Sequence, residues 1–130
     1  MRQKCTLAVV TLLAACGTDL CLAPPASLAV TLGPLGPGGT QPAGLQLEWT
    51  DASTCETGFE IERAQSAGAF SPIATTAADL TRYLDTGLIA PAAGAYCYAC
   101  SYRVRAVEGD DTRSAWSNVA LAPGPPPSPP

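Results

Sequence analysis

Apolar and polar positions alternate in a series of short runs from Ser27 onward. The pattern is clearest at Ser101–Val107, where Tyr102, Val104 and Ala106 share one face and Ser101, Arg103 and Arg105 the other. A period of 2, with large or β-branched residues opposite arginines, predicts a half-buried antiparallel strand. The same reading gives strands at Ser27–Leu32 (Leu28, Val30 and Leu32 on one face), Leu45–Trp49 (Leu45, Leu47 and Trp49 inward) and Phe59–Arg63 (Phe59 and Ile61 inward). Shorter strands are expected at Phe70–Thr75, Thr81–Leu84 and Ala115–Leu121, with a longer one at about Cys100–Val107. Pro72 demotes its strand to an edge, and Pro24 and Pro25 block extension ahead of the first strand. Gly33–Ala43 is a Gly/Pro-rich loop, and Asp51–Gly58, Asp85–Leu88 and Glu108–Arg113 are turns. No helical period appears in this region. Short strands punctuated by turns predict an all-β sandwich, one domain plus trimmings in 130 residues. Its core is expected to hold Trp49, Phe59, Ile61, Tyr83, Leu88, Tyr102, Val104 and Ala106, with Trp49 the largest single contributor.

The first residues break this pattern. Met1–Lys4 carries two positive charges and Thr6–Ala15 is an apolar run of about ten residues, the layout of an export signal. A bilayer core needs roughly 20 apolar residues, so this run is too short to span one. Leu13-Ala14-Ala15-Cys16 resembles the bacterial lipobox, which implies cleavage after residue 15 and lipidation of Cys16. An ordinary secretory signal with an incidental Cys16 is the alternative. Small residues at 14 and 15 fit a narrow peptidase groove, and two or three acyl chains hold a membrane far more durably than one. The expected organisation is a signal peptide over 1–15, a tether over 16–25, the domain over 26–121 and a tail over 122–130. Gly17 follows the cysteine where an aspartate would resemble an inner-membrane retention signal. The expected address is therefore a bacterial cell envelope, with the lipid in the outer membrane.

Composition narrows the function classes. Histidine is absent, which removes the commonest general base and metal ligand. Beyond residue 15, five arginines face eleven carboxylates, a balance of −6 with no lysine, and such a domain is a poor match for nucleic acid. Six cysteines in so short a chain point to an oxidising compartment. The tail Ala122–Pro130 has six prolines in nine residues and is expected to be extended polyproline II, either a rigid spacer or docking peptide or the stub of a linker.

Five segments together resemble a bacterial fibronectin type III domain: Leu45-x-Leu-x-Trp49-x-Asp51, Glu56-Thr-Gly-Phe59-x-Ile61-Glu-Arg63, Tyr83-x-Asp85-x-x-Leu88, Tyr102-Arg-Val-Arg-Ala106 and Ser114-x-Trp116-Ser-Asn118. The resemblance covers about Ala26–Leu121 and implies a seven-stranded, immunoglobulin-like Greek-key sandwich with Trp49 packed against the Tyr102 strand. Two departures stand out. The segment between Leu88 and Tyr102 is long, and Cys100 sits where the family carries a corner tyrosine. A corner tyrosine hydrogen-bonds through its hydroxyl, so Tyr96, Tyr98 or a disulfide must do that work here.

With Cys16 lipidated, Cys21, Cys55, Cys97 and Cys100 allow three full pairings. The strand topology puts Cys55 at the opposite end of the sandwich from Cys97 and Cys100, beyond the roughly 7 Å a disulfide tolerates. The expected pairs are thus Cys97–Cys100 and, by remainder, Cys21–Cys55. The C-Y-A-C spacing also matches a redox motif, but no helix is expected there to lower a thiolate pKa. A zinc site fits the ligand spacing for one cysteine pair alone. Glu108, Asp110 and Asp111 form a solvated acidic turn rather than a calcium cage. Glu60 and Glu62 face Arg103 and Arg105 across neighbouring strands, so cross-strand ion pairs are expected. No nucleophile–base pair, metal cage or cofactor motif emerges, and a flat carboxylate pair lacks the pocket a glycosidase acid needs. The expectation is a monomeric, non-catalytic lipoprotein binding or scaffolding a protein or polysaccharide, or else a purely structural envelope spacer.

Overall fold

A computed structural model describes residues 21–36, 38, 39, 43–87 and 97–124. Residues 1–20 with Cys16, the core candidate Leu88, Tyr96 and the prolines from 125 on lie outside the described residues. Eight strands are described: β1 (Ala26–Leu32), β2 (Leu45–Thr50), β3 (Gly58–Gln65), β4 (Ser71–Ala77), β5 (Arg82–Asp85), β6 (Cys100–Glu108), β7 (Thr112–Arg113) and β8 (Ala120–Leu121). They form two antiparallel sheets. One has the order β1-β2-β5, and the other β4-β3-β6-β7 with β8 also paired to β6.

The alternation seen in the sequence becomes burial. Leu45, Leu47 and Trp49 of β2 meet Phe59 and Ile61 of β3 and Tyr102, Val104 and Ala106 of β6 in one apolar cluster. Phe59, Ile61, Tyr102, Val104 and Ala106 are fully buried, each large side chain contributing roughly 1.5–3 kcal/mol by leaving water. The Trp49 and Phe59 rings meet edge to face across the two sheets, 5.4 Å between centroids. Tyr83 is half-buried and packs on the margin of this cluster rather than within it. Fully buried Cys100 joins the cluster on the inward face of β6, two residues before Tyr102.

A polar tie joins the sheets next to this core. Asp85, at the end of β5, accepts the Tyr102 hydroxyl at 2.7 Å, the Arg63 guanidinium at 2.7 Å and the Gly87 amide at 3.0 Å. Burial, then the Asp85 carboxylate, push the Tyr102 phenol far above its ordinary pKa, so it remains a donor. At the corner, Cys100 is tied to Cys97 by a disulfide, the one of the expected corner devices that is seen among the described residues.

The last strand differs from expectation. A continuous strand over Ala115–Leu121 is replaced by the short ladders β7 and β8, with residues 114–119 off the ladder. The cause is a repeated three-against-two stagger. Ser114 lies opposite Ala106, Ser117 opposite Val104 and Ala120 opposite Tyr102. The Ser114 and Ser117 amides donate to those carbonyls, and their hydroxyl oxygens accept the Ala106 and Val104 amides at 2.9 and 3.0 Å. Side-chain oxygens stand in for backbone carbonyls, leaving one extra residue per step. Asn118 extends the device to the other sheet: its amide oxygen accepts from Leu28 N and its nitrogen donates to Leu28 O. On the opposite edge Pro72 faces Glu62, with a register shift that makes Ile73 the extra residue.

Removing the tie separates its members by cost. Tyr102→Phe leaves Asp85 paired with Arg63 and is expected to cost roughly 1–3 kcal/mol. Asp85→Ala strands both the guanidinium and the hydroxyl and is expected to cost roughly 3–5 kcal/mol. Urea denaturation midpoints check the ranking, and equal costs would contradict it.

Candidate functional site

The outward face of the larger sheet carries the chemistry. Register places Glu60 opposite Arg105 and Glu62 opposite Arg103. Arg103 holds Glu62 Oε2 through Nε at 2.8 Å and Nη2 at 2.6 Å. Arg105 holds Glu60 Oε2 through Nε and Nη2, both at 2.7 Å. Arg113 of β7 reaches the other Glu60 oxygen at 3.0 Å and also donates to the Asp110 carbonyl. Two carboxylates of β3 are therefore held by three guanidiniums from β6 and β7.

Aromatic rings flank this lattice. The Arg103 guanidinium carbon lies 4.3 Å from the Phe70 ring centre and 4.1 Å from that of Trp116. Arg105 sits over the same indole at 4.2 Å. The serine-driven stagger is what brings Trp116 onto this face, because the extra residues at each step push the loop outward. Each such contact contributes roughly 0.5–1 kcal/mol where solvent reaches it. Beside the lattice runs an open groove of about 500 Å³, lined by Glu60, Glu62, Ile73, Thr75, Arg105 and Arg113.

Partial burial would raise the Glu60 pKa, but Arg105 and Arg113 outweigh it and hold the carboxyl below its ordinary value. A general acid requires the opposite shift. The face thus offers three guanidiniums fixed on two carboxylates, beside stacked rings.

The remaining candidates fall elsewhere. Cys97 and Cys100 are bridged, as are Cys21 and Cys55, each pair with Cα atoms 5.3 Å apart. The first bridge anchors the entry to β6; the second ties residue 21 to the β2–β3 loop, where the Cys21 carbonyl also accepts the Thr54 amide at 2.6 Å. The Glu108 carboxylate turns toward Cys55, away from the exposed Asp110 and Asp111, so that turn does not gather its three carboxylates. Two features escaped the sequence reading: the stacking of Phe70 and Trp116 on the arginines, and a trio of acids, Asp51, Glu56 and Asp79, drawn together from two loops. The period-2 rule breaks down where Phe70 and Trp116 lie, and nothing in the spacing of residues 51, 56 and 79 signals their convergence.

No protein-family profile matches the chain, and no curated protein matches it. Among solved structures it is similar to a β-1,2-glucanase from Parabacteroides distasonis, with 17% identity and a TM-score of 0.49 over 82% of this chain. The match spans 14% of the glucanase chain.

The Glu60 shift fixes a pH response. A folded-state pKa below the unfolded 4.5 contributes stability that is present above that value and is lost as pH falls through the lowered folded pKa. Urea unfolding of wild type and Glu60→Gln across pH 7 to 3 is expected to show a stability gap that narrows below about pH 4.5. A gap independent of pH would contradict the assignment.

Proposed function

We propose that the chain is a lipid-anchored lipoprotein of the bacterial envelope whose fibronectin type III-like sandwich is a non-catalytic binding or scaffold module. In this reading the leader is removed after residue 15, Cys16 carries the lipid in the outer membrane, and a monomeric domain extends from the tether. The five motifs support the family assignment. So does the sheet order, in which the first, second and fifth strands oppose the third, fourth and sixth. On this view β7 and β8 are the two halves of a single seventh strand. The ligand is a protein or polysaccharide segment lying in the groove against the Arg103–Trp116–Arg105 stack.

The observation that carries the proposal is the arginine–glutamate lattice flanked by Phe70 and Trp116 beside a groove of about 500 Å³. Fixed guanidinium and carboxylate groups supply directional hydrogen bonds, and the rings supply apolar area at little entropic cost. A spacer would need neither. Each arginine here is already satisfied, so a ligand adds contacts at the exposed rim without having to break the pairs.

Full-length protein, extracted from membranes and used as bait against envelope extract, is expected to retain a partner that Trp116→Ala loses. If both baits come back empty, the module is a spacer instead. Intact mass of the extracted protein is expected to lack residues 1–15, to carry an acyl-glyceryl addition on Cys16 and to fall by the hydrogens of two disulfides. An unmodified Cys16 would remove the anchor.

A further inference from the structure

The acidic trio lies apart from the groove residues, at the end of the sandwich where the β2–β3 loop meets the β4–β5 loop. Asp51 and Glu56 come from the first loop and Asp79 from the second, and each brings one carboxylate oxygen within 4.8 Å of the others. Three like charges so close repel, and such a cluster on an open surface would normally splay apart into water. Here it does not. Glu56 Oε2 is sealed from solvent and has no hydrogen-bond partner. A buried, unpartnered carboxylate oxygen is costly, and native structures satisfy such atoms with a donor, a water or an ion.

Charge acts in the same direction. Burial, then the neighbouring Asp51 carboxylate, raise the Glu56 pKa; the amides of Glu56 and Asp79 oppose them without cancelling them. The ionised trio is thus short of positive charge. All the donors are oxygens, a set that suits hard cations, and Ca²⁺–O bonds of about 2.3–2.6 Å can bridge oxygens spaced like these. Water and loop carbonyls would complete the six to eight ligands Ca²⁺ usually takes.

We propose that Asp51, Glu56 and Asp79 form a calcium site that clamps the β2–β3 loop to the β4–β5 loop. The site does not depend on the lipid anchor or on the groove. Because the ion would bind the folded chain and not the unfolded one, it would raise thermal stability by mass action.

The test is the melting temperature of the full-length, detergent-extracted protein with CaCl₂, with MgCl₂ and with NaCl at matched ionic strength. For an affinity typical of extracellular modules, Kd of about 0.1–1 mM, 10 mM Ca²⁺ is expected to raise Tm by roughly 5–15 °C. Glu56→Gln keeps the shape and removes the charge, so it is expected to fold without Ca²⁺ and to lose at least four-fifths of that rise. Asp79→Asn provides a second loss should Glu56→Gln fail to fold. Asp110→Asn, in the exposed acidic turn, is expected to keep the full rise. Calorimetric titration of Ca²⁺ is expected to give one site per chain. A rise matched by NaCl or MgCl₂, or one that survives in both Glu56→Gln and Asp79→Asn, would overturn the proposal.

Discussion

A single buried carboxylate sets the terms on which the two sheets meet. Asp85 is almost wholly removed from water, and an ionised oxygen in that position is tolerable only when its lone pairs are filled. They are filled from across the sandwich by Arg63 of β3 and Tyr102 of β6, which share one sheet, while Asp85 and the Gly87 amide follow β5 of the other. A slip of either sheet by one residue would turn Tyr102 or Asp85 to the opposite face and leave the charge bare. The apolar core provides the bulk of the attraction and the tie selects the alignment. Everything on the outer face inherits that alignment, since Arg103 and Arg105 alternate with Tyr102 and Val104 along the same strand.

The edge next to β6 shows a second economy. Where an ordinary strand offers carbonyls, residues 114–118 offer the hydroxyls of Ser114 and Ser117 and the amide of Asn118. These groups satisfy the backbone of β6 and β1 while freeing the chain between them from the two-residue repeat. An indole can then lie flat over two guanidiniums, which a pleated strand with alternating side chains would not allow. The same substitution closes the edge of β6 to further strand pairing along that stretch.

Much of this was legible in the residues because burial follows a period of 2. The all-β class, the inward faces of β2, β3 and β6, and the facing glutamates and arginines all come from alternation between neighbouring strands. The split of the final strand was hidden, since Ser114, Ser117 and Asn118 act through side chains that mimic backbone and leave no trace in hydrophobic spacing. Tyr83, expected in the core, lies on its margin because β5 is a short outer strand. Phe70 and Trp116 read as strand residues, but they lie just outside the ladders, where the rule no longer sets direction. The acidic trio depends on two loops meeting, and residues 51 and 79 are neighbours only after the sheets have closed.

The bridge between Cys21 and Cys55 has a mechanical consequence. It lies five residues ahead of β1, and β1 is an outer strand held to its sheet by β2 alone. Tension arriving along the chain from before residue 21 would, without the bridge, act on the start of β1 and open its hydrogen bonds one after another. With the bridge in place, the load divides at the sulfurs and passes into the loop between β2 and β3, which joins the two sheets. The chain is thereby hauled from its middle, and the seam between β1 and β2 is spared the peel.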